Sequence, residues 1–351
     1  MTEDVVPPRE LTPDEGRLCA ELNIDKASFL GEHIDQSEVV RKDPCFLVAP
    51  HPLDPRQPVA SQLEALEVQR NLRFGNHIHA LANAYLVAKA LGLPKVIIPS
   101  HPLLREEFSI HGVYFSQKGE ESDGSQSAVR LRGTFFYRHT LGHLLLEDKR
   151  PTVTILPFFT DALRVIPRFR RGELQEWVSM RIAEQVKKAR RDLTIHIRSG
   201  DIFSSDHPHP GYWQPPLSFY LQSIDQVKPR QVTLVFEDRG NPVIDKIEQH
   251  LIHTGISYQV KDGPIEEAIW EIVTAKNLVV AKGTFSRPMV ALSRSLKNLW
   301  SYAAPQSYDV LSRLVTAKFK LHIVPDAERA YEAKVSAWRN SEDQREAMLA
   351  H

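Results

Sequence analysis

Cysteine is nearly absent from this 351-residue chain: Cys19 and Cys45 are its two thiols. They are too few for a disulfide framework and lack the Cys-x-x-Cys spacing of a redox or zinc motif, so both are read as inert. Net charge is missing too, since 44 basic residues balance 44 acidic ones. That balance excludes the bulk positive field with which proteins coat nucleic acid or membrane surfaces. Any bound anion must be met by a few placed side chains. No apolar run approaches the roughly 18–20 residues that cross a bilayer. Met1 to Arg17 is polar and acidic, with Pro7 and Pro8, and has neither the basic start nor the apolar stretch of a secretion signal. The expectation is a cytoplasmic protein with no membrane segment and no nucleic-acid partner.

Motifs are missing as well. Neither Walker A nor the Gly-x-Gly-x-x-Gly pattern occurs, which removes the usual support for kinase and dehydrogenase chemistry. Gly-x-Ser-x-Gly and His-Glu-x-x-His are absent, and with them the commonest hydrolase signatures. No Asp-x-Asp occurs, although transferases that hold a donor through a divalent ion need closely spaced carboxylates. No metal site is expected. Ser205-Asp206-His207-Pro208-His209 has a proline between its two histidines and another directly after them, and reads as a structured loop.

What is present is a two-domain α/β pattern. Hydrophobic residues make up 42% of the chain, enough for real cores, and the length suits two domains. Residues 1–40 read as a charged N-terminal arm. The first domain, 41–167, opens with a strand at Cys45–Ala49. An Ala-rich buried helix follows from Phe74 to Leu91 and is closed by Gly92, then a strand at Lys95–Ile98. Strands are expected at Gly112–Phe115, Gly133–Tyr137 and Val153–Leu156, with a helix near Leu141–Leu146. An amphipathic helix over 168–192 starts the second domain, 168–326.

From there strands and helices alternate regularly. Strands fall at Leu193–Arg198, Val232–Phe236, Ile256–Val260 and Leu278–Ala281. The helices between and after them fall at Leu217–Asp225, Pro242–His253, Pro264–Lys276 and Ser286–Leu296. Asn298–Tyr302 adds a strand, and 327–351 carries a charged surface helix over Ala327–Leu349. Such alternation predicts parallel sheets with covered faces. Ligands in such sheets bind beyond the carboxyl ends of the strands.

His196-Ile197-Arg198-Ser199-Gly200-Asp201 lies at such an end. Arg198 offers a planar, permanently charged fork matched to phosphate oxygens, Gly200 permits a tight turn, and Asp201 is placed to pin the loop or orient Arg198. Arg73-Phe74-Gly75-Asn76 opens the first-domain helix, and Lys282-Gly283-Thr284-Phe285-Ser286 precedes a late one. Helix N-termini favour anions. A bare ion pair of Arg198 with Asp201, a plain cap at Gly75–Asn76 and a core aromatic at Phe285 are the structural alternatives. Tyr212 and Trp213, in an aromatic Pro-rich loop, either stack on a sugar face or pack the loop.

The three segments together resemble the motifs of the fucosyltransferase superfamily, which includes the protein O-fucosyltransferases and their bacterial relatives. They arrive in that family's order and span residues 71 to 296. The resemblance implies a GT-B-like fold, two Rossmann-like domains facing each other across a cleft. It also implies an inverting, metal-independent transfer of fucose from GDP-fucose to a glycan or other hydroxyl acceptor, with no cofactor beyond that donor. It places His196 and Arg198 on the ribose and diphosphate, and Thr284, Phe285 and Ser286 on the phosphates and sugar from the opposite wall. Gly75 and Asn76 face the donor through backbone.

Two departures stand out. Ser199 occupies the position where some members carry a second Arg, and the guanine-reading acid has no unambiguous counterpart. Asp262 and Glu266 are the candidates, each equally a helix N-terminal charge. For the acceptor's general base the choice is His77, with His79 as an alternative. Two other readings remain open: a non-catalytic nucleotide-sugar or glycan-binding protein on the same fold, and a transferase with a different donor.

Overall fold

A computed structural model describes residues 46–48, 59–68, 73–118, 128–132, 192–283, 285–293, 295–302, 319–324 and 330–351. The chain divides into two compact units, Met1–Arg170 and Arg171–His351. The arm, the strands expected at Gly133–Tyr137 and Val153–Leu156, and the helices expected at Leu141–Leu146 and over 168–192 lie outside the described residues, apart from Asp192. So does Thr284. Both units are α/β with parallel pairing. Among the described residues, no helix is long and apolar enough to cross a membrane.

In the first unit the described elements are β1 (Phe46–Val48), α1 (Val59–Gln62), β2 (Ala65–Val68), α2 (Phe74–Leu91), β3 (Lys95–Ile98), β4 (Glu107–Ile110), β5 (Val113–Gln117) and β6 (Ala128–Arg132). The sheet order is β1-β6-β2-β3-β5-β4. The inner strands β6, β2, β3 and β5 run parallel, and the two edges pair antiparallel. Between β2 and β3 the chain crosses over through α2. That helix is largely apolar and buried on nearly every side: Ile78, Leu81, Ala82, Ala84, Tyr85, Leu86, Val87 and Ala88 are all buried, as are the polar His77 and Asn83. A helix of this kind belongs inside a fold rather than on its surface. It ends where the sequence expects, with Gly92 left-handed at φ 71° and Leu93 N–H bonded to Ala88 O. β2 and β4 carry no clear alternation in sequence and are additions to the expected elements.

The second unit contains β7 (Asp192–His196), α3 (Asp201–Ser204), a 3-10 turn at Pro210–Tyr212, α4 (Leu217–Val227), β8 (Gln231–Val235), α5 (Val243–His253) and β9 (Ser257–Lys261). It continues with α6 (Ile265–Thr274), β10 (Asn277–Val280), α7 (Ser286–Leu292), β11 (Asn298–Tyr302), β12 (Lys320–Val324), α8 (Ala330–Val335) and α9 (Glu342–Ala350). Its sheet is parallel throughout, in the order β12-β11-β10-β7-β8-β9. The chain starts in the middle at β7, winds outward through β8 and β9, then returns to the other side of β7. This is the Rossmann order, and the reversal falls between β7 and β10. The central strands are nearly continuous apolar runs because both faces are covered. α5 turns Val243, Ile244, Ile247 and Leu251 inward at the spacing of one helical face.

Two expected helices are shorter than their patterns. α7 stops at Leu292, where Ser293 Oγ donates to Val273 O at 2.7 Å and Leu296 N–H returns to Ser293 Oγ. The single surface helix expected over Ala327–Leu349 is two helices, α8 and α9. Trp338, between them, is fully buried, with its indole N–H on Ile202 O at 3.0 Å and its backbone N–H on Pro210 O. Asn340 is left-handed at φ 59°, and Ser341 with Gln344 forms a capping box that restarts the chain as α9. Burying one large aromatic outweighs an unbroken helix here.

Trp338→Ala should therefore lower the unfolding free energy of the second unit by about 3–5 kcal/mol, the usual cost of emptying a packed aromatic site. Denaturant titration of both proteins measures it, and a loss below about 1 kcal/mol would contradict the packing described.

Candidate functional site

The carboxyl ends of β7 and β10 bring the two second-unit motifs together. His196 ends β7 and Ser286 begins α7 after β10; His196 Nδ1 and Ser286 Oγ share a hydrogen bond of 3.0 Å. The His196 ring also packs at 5.4 Å from the half-buried Phe285 ring. Residues 90 apart in sequence thus meet at the point where the strand order reverses, the place such sheets use for ligands. Burial, then the nearby Arg198 charge, hold the His196 imidazole down at about 3, so it is neutral at physiological pH.

Arg198 is held from several sides. Its Nη2 donates to Asp201 Oδ1 at 3.0 Å, its guanidinium lies 5.3 Å from the Tyr212 ring centroid, and its backbone O accepts from Asn241 Nδ2 at 2.9 Å. A Cβ on Gly283 would sit 3.4 Å from both Arg198 Cδ and Nη1, so the backbone of the β10 loop runs directly against the guanidinium. Arg198 Nε is shielded and has no partner. The Asp201 contact is a real ion pair with part of the fork still free, which suits a phosphate oxygen.

The turn beneath Arg198 depends on a residue that sequence reading missed. Asp238, in the loop after β8, accepts from Ser199 Oγ, from Gly200 N–H at 3.2 Å and from Gly240 N–H at 2.8 Å. Those bonds hold its carboxyl below the ordinary range although burial pushes the other way. Ser199 Oγ in turn accepts from Asn241 N–H. Gly200 has φ 72° and ψ −133°, a backbone conformation that strongly favours glycine, while a Cβ there would meet only the movable end of the exposed Glu237 side chain. Ser199, where a second Arg might have stood, is 2% exposed and faces Asp238. The signal was available as an acidic pair, Glu237-Asp238, at the end of a strand next to β7.

The aromatic loop separates into two roles. Trp213 is buried, edge-on to Tyr302 and Tyr331, and belongs to the core rather than to a sugar platform. Tyr212 is exposed, and its ring lies tilted beside that of His209 at 5.0 Å. His209 Nδ1 accepts from Gly211 N–H and caps the short 3-10 turn. Among the described residues no group of three potential ligands is placed to hold a metal. Asp262 is exposed beyond the end of β9, two strands across from β7, and Glu266 lies in the first turn of α6.

In the first unit, Gly75, Asn76 and His77 open α2 directly beyond the carboxyl end of β2. β2 is where that sheet's order also reverses, toward β6. Gly75 is buried and Asn76 half-buried, with its Oδ1 shielded and unpartnered. His77 is 1% exposed with neither ring nitrogen hydrogen-bonded. Burial, and after it the His101 ring at 4.7 Å, lower it to about 3. His101, another residue missed from sequence, sits beyond β3 with its Nδ1 accepting from Leu103 N–H. His79 lies within α2, and its side chain is outside the described set.

No family model matches the chain, and no curated protein matches it. Among solved structures it is similar to a mutant of Arabidopsis thaliana FUT1 in complex with GDP, at 11% identity and a TM-score of 0.37. The similarity covers 91% of this chain and 82% of that one.

Both His77 and His196 are lowered from the ordinary 6.5 to about 3. Below pH 6.5 the unfolded chain binds protons that the folded chain does not. Their contribution to stability is complete above 6.5 and declines as pH falls toward 3. His196→Gln should show a shallower acid decline in melting temperature across that window than the wild type. An identical slope would mean that His196 is not buried as a neutral ring.

Proposed function

We propose that this protein is a metal-independent, inverting glycosyltransferase that takes a sugar, fucose from GDP-fucose, to a hydroxyl acceptor. The observation that carries the reading is the convergence of Arg198, His196 and Ser286 at the β7–β10 reversal of a Rossmann-ordered sheet. The motif resemblance supports the choice of donor.

Arg198 has the form of a leaving-group stabiliser. As the anomeric C–O bond breaks, charge grows on the departing diphosphate, and a fixed guanidinium in a partly desolvated site lowers that barrier without reorganising. The clamp formed by Asp201, Tyr212 and Gly283 supplies the fixity. Asp238 acts one step back, holding the turn that carries Arg198. His196 and Ser286 would meet the ribose and phosphates with neutral groups, adding hydrogen bonds where further charge is not needed. Phe285, beside His196, would close the wall, and Thr284 would add a hydroxyl. Asp201 would orient Arg198 toward the diphosphate. Asp262 would read the base at the far end of the same strand edge.

On the division of labour that the resemblance implies, the first unit would receive the acceptor, and Gly75 and Asn76 would offer backbone groups to the donor. His77 would accept the hydroxyl proton as oxygen attacks the anomeric carbon from the face opposite the leaving diphosphate. Buried and lowered to about 3 in the resting protein, the ring would need the bound acceptor to open its packing and raise its basicity before it took that proton.

Calorimetric titration with GDP, GDP-fucose, GDP-mannose and UDP-glucose, with and without EDTA, is the test. Binding selective for guanine nucleotides and indifferent to EDTA is expected, with Arg198→Ala weakening it about 10- to 100-fold. Unchanged GDP affinity in that variant would make Arg198 structural and end the reading.

A further inference from the structure

The β7–β10 edge holds more positive charge than the Arg198 assignment uses. Lys282 follows β10, and Arg287 is the second residue of α7. Both are half-buried. Among the described residues neither side chain makes a hydrogen bond or an ion pair, and Arg287 Nε is shielded from water without a partner. A shielded guanidinium nitrogen left unpaired is costly, and so are two cations placed close together.

They do lie close. Burial lowers the Lys282 ammonium from its ordinary 10.5 to about 8; Glu332 of α8 opposes that shift, and Arg287 adds to it. Nothing in the packing of α7 requires a charge at 287, since its inner side is already filled by the buried Pro288, Met289 and Val290. The Lys282 Nζ rests 3.4 Å from the centroid of the Trp213 ring, while the neighbouring Tyr212 ring carries Arg198. One dipeptide thus bears a cation on each of its two rings, and Gly283, which separates Lys282 from the rest of its loop, packs against Arg198. Gln214 fixes the same loop by donating to Lys282 O at 3.0 Å. Ser199, directly after Arg198, is turned to Asp238 and brings no charge.

A single guanidinium already engaged with Asp201 is poorly matched to two phosphoryl groups, each carrying its own charge. We propose that Lys282 and Arg287 form the second cationic arm of this site and, together with Arg198, hold the diphosphate of the bound nucleotide. The assignment rests on the nucleotide-sugar reading above and names the residues that replace the second Arg missing at position 199.

Inorganic pyrophosphate, GDP and guanosine, titrated into the full chain and into Lys282→Met, Lys282→Arg, Arg287→Gln and Arg287→Lys, separate the possibilities. Circular dichroism and melting temperature confirm that each variant folds. Removing either cation should weaken pyrophosphate and GDP about tenfold while leaving guanosine unchanged, and the two charge-keeping variants should recover most of that loss. Wild-type affinity for pyrophosphate and GDP in both neutral variants, with Arg198→Ala still defective, would overturn the second arm and leave the nucleotide-sugar reading standing. Binding of pyrophosphate that depends on Lys282 and Arg287 without any preference for GDP would keep the arm and overturn the donor assignment. No binding of either by the wild type would overturn both.

Discussion

The turn from Arg198 to Gly200 is the constraint on which the second unit's chemistry depends. It is set by Asp238, one carboxylate that receives a hydroxyl and two backbone N–H groups and so locks the loops after β7 and β8 to each other. With that lock in place, Arg198 is presented at the sheet edge with its stem against Gly283 and its fork against Asp201. Without it, the guanidinium would sample many directions, and binding energy would be lost to ordering it. The acid does not meet the ligand in this reading; it pre-organises the residue that does.

Much of the second unit was legible because its signals are local. Its strands are short apolar runs, its helices carry one apolar face, and Gly or Pro marks many of the breaks. The position of Arg198 beyond β7 follows from those alone. What was not legible depends on residues far apart in sequence. Trp338 reads as an interruption in a charged helix until Ile202 O, 136 residues earlier, is seen to accept its N–H. Asp238 is an ordinary loop acid until the β7–β8 pairing places it beside Ser199. Trp213, equally suited to a sugar or a core by type, is decided by Tyr302 and Tyr331, which arrive from β11 and α8. The capping box at Ser341 was readable from its spacing alone and marks a helix start inside what looked like one continuous segment.

The first unit shows a different kind of limit. α2 is legible because a helix largely apolar on nearly every side has few other interpretations, yet the same burial hides the state of His77. From sequence, a histidine in the first turn suggests control by the helix terminus. In the structure, desolvation is the larger influence and His101 the second. The two rings follow adjacent parallel strands, His77 in the first turn of α2 after β2 and His101 in the loop after β3, a pairing that only sheet order reveals. In both units the motif residues cluster where strand order reverses, the same architectural solution reached by two sheets of different edge pairing.

The C-terminal segment meets the stretch that follows Arg198 at several points: Trp338 bonds to Ile202 and Pro210, Asn340 and Arg345 to Phe203, and Tyr331 to Gln214. These contacts span 117 to 142 residues for the side-chain bonds. At ordinary rates of synthesis that stretch leaves the ribosome on the order of ten seconds before the segment that braces it. Contacts of such long range also form late, because closing the intervening chain is entropically costly. The sheet can assemble during translation, but the stretch after Arg198 stays unbraced until residues 331–345 have been made, so the rigidity of that edge is acquired later than the sheet itself.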